Sequence, residues 1–178
     1  MTHLKLFTFL IGLLLSANIA DAQNFGKKVH PTSVPNYTKD AKKEIKNATD
    51  VNMAIDLSNV TIMGLDSADF VSWYSKNSGD LTLKRFKNYV VKTVKENTKK
   101  KIFYPAKEGI PYLVKLDIEA ISEDAGINAI FYFYKFVGGQ KEGLMRNNIK
   151  IKDGRMNEFE VLLKENAEDL GKKVANLL

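Results

Sequence analysis

The chain contains no cysteine, and this absence excludes several kinds of chemistry at once. Without cysteine there is no disulfide, no thiolate nucleophile and no sulfur ligand for zinc. Histidine is scarce as well, because the two histidines, His3 and His30, both lie in the first 30 residues. The rest of the chain therefore lacks the base that a serine nucleophile usually needs. We expect a protein without a metal site, without a cofactor and without enzymatic activity.

A hydrophobic run long enough to cross a membrane is also missing. The most apolar stretch, Leu6–Leu15, has about ten residues, whereas a membrane-spanning helix needs about 20. It is followed at residues 20–22 by Ala-Asp-Ala, the small-x-small pattern that precedes a signal-peptidase site. The sequence therefore predicts a signal peptide at residues 1–22 with cleavage between Ala22 and Gln23. We expect an exported protein, periplasmic or extracellular, with no transmembrane segment in the mature chain.

An exported domain without disulfides is more typical of the bacterial envelope than of small secreted animal domains. Lysine and arginine number 27 against 21 aspartate and glutamate, so the formal net charge is +6. Nucleic acid is not an expected partner, since an exported protein meets little of it and no RNA-binding aromatic motif is present. We interpret the basic residues as a solvated helix face with at most weak attraction to an anionic surface.

Three segments divide the chain. After the signal peptide, residues 23–50 are polar and rich in lysine, which predicts a polar leader. Residues 51–178 are predicted to form a single domain whose elements follow the order strand, helix, helix, strand, strand, strand, helix. We therefore predict an α+β fold with two layers, in which helices cover one face of a mainly antiparallel sheet of about four strands.

Helical periodicity indicates which residues share a face. The first predicted helix begins at Asp66 or Ser67, and its Phe70, Trp73 and Tyr74 follow the i, i+3, i+4 spacing of one helix face. The two longer helices carry apolar stripes: Leu83, Phe86, Val90 and Val94 in one, and Phe159, Leu163, Ala167, Leu170, Val174 and Leu177 in the other.

The segment "AIFYFYKF", which begins at Ala129, has large apolar side chains at nearly every position, so both faces of its strand are apolar. The row that contains Phe131 and Phe133 is expected under the helices, because no hydroxyl there needs a partner. Tyrosines can instead keep their hydroxyls in water. The other row is therefore the candidate partner-binding face: Ile130, Tyr132, Tyr134 and Phe136.

This row is expected to lie beside Lys115, Asp117 and Glu119 of the preceding strand. Aromatic rings next to charged groups are typical of a protein contact face. The alternative is that the leader or a loop folds over the row and buries it.

Four segments carry a layout that resembles known proteins: "VNMAIDLSNVTIMG", "DSADF", "YLVKLDIEAISEDAGINAIFYFY" and "EDLGKKVANLL". Over residues 50–178 the layout resembles that of small uncharacterised exported proteins of Bacteroidota. It is also similar to the α+β domains of envelope proteins such as the curli secretion lipoprotein and the lipoprotein activators of peptidoglycan synthases. The chain departs from these lipoproteins because it has no lipid-anchor cysteine, and it shows no transmembrane hairpin strands of the curli type.

The resemblance implies a role in envelope binding or assembly without catalysis, and it assigns no functional residue. We therefore predict a non-enzymatic cell-envelope or secreted module that acts through an exposed sheet face. Its partner would be another envelope protein or a second copy of the chain. Two alternatives stay open: a carrier of a small apolar ligand, and a glycan hydrolase that uses carboxylates.

Overall fold

A computed structural model describes residues 39–74, 78–152 and 158–178 of the chain. The helices of this part are α1 (Ala41–Asn47), α2 (Ser67–Trp73), α3 (Gly79–Asn97) and α4 (Phe159–Leu177). The strands are β1 (Asp50–Asp56), β2 (Thr61–Ile62), β3 (Leu65–Asp66), β4 (Lys101–Phe103), β5 (Tyr112–Ile121), β6 (Ile127–Val137) and β7 (Gln140–Ile151).

Strand β5 organises the sheet. On one side it pairs in antiparallel fashion with β6, which in turn pairs with β7. On its other side β5 pairs in parallel with β1 along its first half and with β2 at its end. Strand β4 runs parallel to β1 at one edge, and β3 closes a short antiparallel pair with β2. The result is a mixed sheet whose longest pairings are antiparallel.

The α+β prediction is confirmed, with helices packed on a sheet. The described residues form seven strands, where about four were expected. The extra strands are β2, β3 and β4, which have only two or three residues each. Segments this short contain no period that a sequence pattern can reveal. Residues 51–64, which are apolar and β-branched enough for one long or two short strands, contain most of β1 and all of β2.

The main core lies between the sheet and the helices. Phe131 and Phe133 of β6 are fully buried there, as the sequence predicts, together with Phe86 of α3 and Leu170 of α4. Every residue of the α3 stripe is buried, and so are the middle positions of the α4 stripe. Asp66 caps α2 as expected, since its carboxylate accepts hydrogen bonds of 2.9 Å from the backbone N–H groups of Ala68 and Asp69.

Helix α1 lies within residues 23–50, the segment interpreted as a polar leader. Its Ala41 and Ile45 are buried in the core. Its C-terminal end is held by Lys100, whose ammonium donates hydrogen bonds to the carbonyls of Ile45 and Ala48, the latter at 2.7 Å. A cation at this end satisfies carbonyls that have no partner inside the helix and complements the helix dipole.

A second contact holds α1 at its middle. The Glu44 carboxylate lies 2.9 Å from the Lys135 ammonium of β6 and accepts a 2.8 Å hydrogen bond from the Tyr112 hydroxyl of β5. These hydrogen bonds, that of Lys135 first and that of Tyr112 second, hold the pKa of Glu44 below its usual 4.5. The carboxylate therefore links α1 to both strands as long as it is ionised.

Replacing Glu44 with glutamine should remove a pH-dependent part of the stability. Because the folded-state pKa is depressed, the ionised group stabilises the fold above the ordinary value of 4.5. This contribution is lost as pH falls through the lower folded-state pKa. Urea denaturation should therefore give the unsubstituted protein a higher free energy of unfolding than the variant at pH 7, and this difference should shrink below pH 4.5. A difference that is constant over this range would mean that Glu44 does not couple α1 to the strands.

Candidate contact surface

The structure places the four residues of the predicted partner-binding row on one side of β6, but it buries most of them. Ile130, Tyr132 and Tyr134 form a small cluster with Leu113 of β5, and Tyr132 is only 1% exposed. Phe136 lies outside the cluster and is 37% exposed. The predicted division of β6 into two rows is therefore confirmed, whereas the expectation that the row is exposed is wrong for its first three members. Its role in binding a partner stays a prediction.

Neighbouring side chains account for part of this burial. The rings of Tyr132 and Tyr134 stack with their centroids 5.7 Å apart, so each shields the other. The Lys141 ammonium lies 4.7 Å from the centroid of the Tyr134 ring. In the strand register, Lys115 and Arg146 stand on either side of Tyr132. Long cationic side chains cover aromatic rings with their methylene stems, which sequence alternation does not reveal.

Two of the three predicted polar neighbours lie beside the row, because the register pairs Lys115 with Tyr132 and Asp117 with Ile130. Glu119 falls at an irregularity in the β5–β6 pairing, so the prediction is wrong for this residue. The Lys115 ammonium is 3.1 Å from the Asp56 carboxylate and 2.6 Å from the Asp117 carboxylate. Burial alone would lower the pKa of Lys115, but the two carboxylates outweigh it and the pKa is raised. Burial raises the pKa of the Tyr134 hydroxyl, and the nearby Tyr132 hydroxyl and Asp117 carboxylate raise it further. The arrangement keeps Lys115 charged and Tyr134 neutral, which is suited to a structural role.

A different aromatic residue is exposed. Trp73, the single tryptophan of the chain, lies at the end of α2 with 64% of its surface accessible. Its ring centroid is 6.1 Å from that of Tyr74, which stacks on the buried Phe70 at 4.9 Å. Tyr74 also meets Phe159 of α4 edge-on at 5.7 Å. The exposed indole is thus supported by rings that are anchored in the core.

A groove of about 260 Å³ lies next to this aromatic group, between α3 and α4. The buried Phe86 and the half-exposed Val161 give it an apolar part. Glu160 connects it to Trp73, because this residue lines both the groove and a depression that also contains Trp73 and Tyr74. We call this region the Trp73 surface and define it by six residues: Trp73, Tyr74, Thr82, Arg85, Glu160 and Lys164.

The polar groups of the Trp73 surface are held by their neighbours. The Thr82 hydroxyl lies 3.3 Å from Oε1 of Glu160, to which it donates a hydrogen bond. The Lys164 ammonium is 5.8 Å from the centroid of the Tyr89 ring, a cation–π distance. Burial raises the pKa of the Tyr74 hydroxyl, and the nearby Glu160 and Glu158 carboxylates raise it further. The Tyr74 hydroxyl therefore stays protonated, which leaves it a hydrogen-bond donor.

Taken together, these groups can bind a ligand. The indole offers a flat apolar face, Arg85 and Lys164 offer cations, and Glu160 offers a hydrogen-bond acceptor. The i, i+3, i+4 spacing predicts that Phe70, Trp73 and Tyr74 lie on the same face of the helix. In the structure Phe70 is buried and Trp73 is not. The one sequence signal that could have singled out Trp73 is that it is the only tryptophan of the chain.

In residues 39–74, 78–152 and 158–178, no helix combines the length and the hydrophobicity that crossing a bilayer requires. In the same ranges, no three Asp, Glu or His side chains come close enough together to hold a metal ion. The predicted signal peptide and its cleavage site at Ala22 and Gln23 lie outside these residues.

No protein-family model matches the sequence, and no curated protein sequence matches it either. Comparison with solved structures finds a PelC dodecamer from Paraburkholderia phytofirmans, with 11% identity, a TM-score of 0.39, and coverage of 74% of this chain and 89% of that one. A crystal structure of an uncharacterized protein has 9% identity and a TM-score of 0.42, with coverage of 72% of this chain and 90% of that one. Similarities this low do not define a family or a function, so the resemblance to exported Bacteroidota proteins stays a prediction.

Proposed function

We propose that the mature protein is a non-enzymatic binding module of the bacterial envelope, or of the secreted fraction, and that the Trp73 surface is its contact site. The observation that supports this proposal is the exposure of Trp73, which is 64% accessible although its neighbours Phe70 and Tyr74 are packed. Tryptophan is among the residues that contribute most to binding energy at interfaces. A large indole left in water by a well-packed domain therefore favours a binding role.

The surroundings of Trp73 support the same conclusion. Contact sites in proteins combine a central aromatic residue with a polar, hydrogen-bonding rim. Here Tyr74 and Val161 extend the apolar area, while Thr82, Arg85 and Glu160 supply the rim. The tyrosine row of β6, which the sequence favoured for this role, supports it less well because its tyrosines are buried.

The proposal predicts that Trp73 is shielded where the protein acts. Hydroxyl-radical footprinting should be performed on intact cells that export the protein and on the purified mature protein. We expect oxidation of Trp73 to be several-fold lower in the cells, because a bound partner covers the ring. Phe136, the exposed aromatic residue at the β6–β7 hairpin, serves as the internal comparison.

Two results would argue against the proposal. Equal oxidation of Trp73 in cells and in solution would mean that nothing covers it. Protection of Phe136 without protection of Trp73 would return the contact site to the end of the predicted β6 row.

A further inference from the structure

The Trp73 surface comprises two depressions that share Glu160, and the ends away from this residue differ in chemistry. Trp73 and Ser78 line one end, and Arg85 and Lys164 line the other. Arg85 lies seven positions after Ser78, the residue that precedes α3, and seven steps correspond to about 10 Å of helix axis. Glu160 lies between the two ends, since it lines both depressions. A ligand that uses the whole surface must therefore be an extended chain with different groups along its length.

From this arrangement we propose that the Trp73 surface binds a linear glycan that carries carboxylate groups, such as a chain of uronic acids. The inference rests on the proposed function and adds the class of ligand. A pyranose ring has a face of C–H groups that can pack flat on the indole, as apolar groups do on exposed aromatic rings. Its hydroxyls can donate to the Glu160 carboxylate. The carboxylate of a further sugar unit then pairs with Arg85 and Lys164 through charge-assisted hydrogen bonds.

Other occupants use fewer of these groups. An acidic peptide such as hexaglutamate would satisfy Arg85 and Lys164, but it carries no hydroxyls for Glu160 and no ring face for Trp73. A neutral glycan would stack on Trp73 but leave the two cations without counter-charges. A lipid surface is flat, whereas the cations line a groove between α3 and α4. An acidic glycan supplies a ring face, hydroxyls and a negative charge at the same time.

The single tryptophan makes binding directly measurable, because all indole fluorescence of the chain comes from Trp73. Tetragalacturonic acid, cellotetraose and hexaglutamate should each be titrated into the purified mature protein. We expect a saturable change in emission with tetragalacturonic acid and at least roughly tenfold weaker binding of the other two, since each lacks one class of contact. Raising the salt concentration should weaken the binding of tetragalacturonic acid.

Variants assign the contacts to residues. Arg85→Gln should weaken tetragalacturonate binding roughly tenfold, because a charged hydrogen bond is lost. Trp73→Ala, followed by calorimetry, should weaken both tetragalacturonate and cellotetraose. The matched control is Lys92→Gln, which removes another cation of α3 that pairs with Glu96 at 3.8 Å and does not line the groove. It should leave the affinity unchanged, and circular dichroism should confirm that all three variants fold.

Equal binding of hexaglutamate or of cellotetraose would overturn the inference, as would the absence of any response to tetragalacturonate. An equal effect of Lys92→Gln and Arg85→Gln would overturn it too, because binding would then depend on overall charge. These failures are distinct from failure of the proposed function. If Trp73 is protected in cells but does not bind tetragalacturonate, the contact site stands and its ligand is of another class.

Discussion

Phe133→Ala should lower the free energy of unfolding by about 3–5 kcal/mol, the usual cost of removing a fully buried phenylalanine. Phe133 is 0% exposed and lies in β6, near the middle of the sheet. Its ring stacks against that of Tyr112 with the centroids 5.7 Å apart, and in the register it stands between Val114 and Met145. Alanine would leave a cavity that the surrounding strands cannot close. Urea denaturation of the variant and the unsubstituted protein measures the loss.

Phe136→Ala is the matched control, because it makes the same substitution three residues further along the same strand. Phe136 is 37% exposed. Its backbone N–H group donates a 2.8 Å hydrogen bond to the Pro111 carbonyl, and alanine keeps this bond. We expect a loss of roughly 1 kcal/mol or less, as is usual for a surface position. Equal losses from the two substitutions would show that β6 is covered along its whole length, including the end near Phe136.

The faces of the long strands and helices could be predicted from the sequence. Alternation along "YLVKLDIEAIS" assigns Val114 and Leu116 to the core and Lys115 to the other face, and the structure confirms this. Helical spacing likewise identifies the buried side of α3 through Leu83 and Val90. These features could be predicted because each depends on a period of two or of 3.6 residues that is repeated several times.

The burial of Tyr132 could not be predicted in the same way. Alternation shows which residues share a face, but it does not show how many neighbours cover that face. The stacking of Tyr132 on Tyr134 and the cation over Tyr134 involve side chains whose directions depend on the pairing of three strands. Helix α1 is a similar case, since its seven residues have only two buried side chains and depend on Lys100 and Glu44 for attachment.

The exposure of Trp73 was missed for a related reason. On a helix of seven residues, spacing of i, i+3, i+4 defines a face only coarsely. In the structure Phe70 points into the core, whereas Trp73 lies at the edge of the core. There it lines a depression together with Glu160, which also lines the groove between α3 and α4. The candidate site is formed by α2, α3 and α4 together, and no pattern within a single segment could bring Arg85, Glu160 and Lys164 to one place.

Gly171→Ala should destabilise the protein by about 1–3 kcal/mol, the usual cost of inserting a group into a packed core. Gly171 lies in the interior of α4 where that helix crosses α3. A methyl group added there would lie 2.7 Å from Cβ of Thr93 and 2.9 Å from the carbonyl oxygen of Val90. Neither atom can move alone, because one is attached directly to the α3 backbone and the other is part of it. The two helices would have to separate.

The sign of this effect makes the test decisive. In a helix that is free of such contacts, replacing glycine with alanine stabilises by about 1 kcal/mol, since glycine has the greater conformational freedom in the unfolded chain. Denaturation of the variant therefore distinguishes the two cases by direction as well as by size. Glu165→Ala, at an exposed position of the same helix, should change the stability by no more than about 0.5 kcal/mol.

A second substitution locates the steric conflict. Thr93→Ser removes the Cγ2 atom that would lie 3.1 Å from the new methyl group, but it leaves Cβ of residue 93 and the Val90 carbonyl in place. The double variant Gly171→Ala with Thr93→Ser should therefore recover only part of the stability lost by Gly171→Ala, measured against Thr93→Ser alone. Stabilisation by Gly171→Ala would mean that α3 and α4 are further apart than this structure places them. The groove that holds Arg85 and Glu160 would then differ as well, because it is bounded by the same two helices.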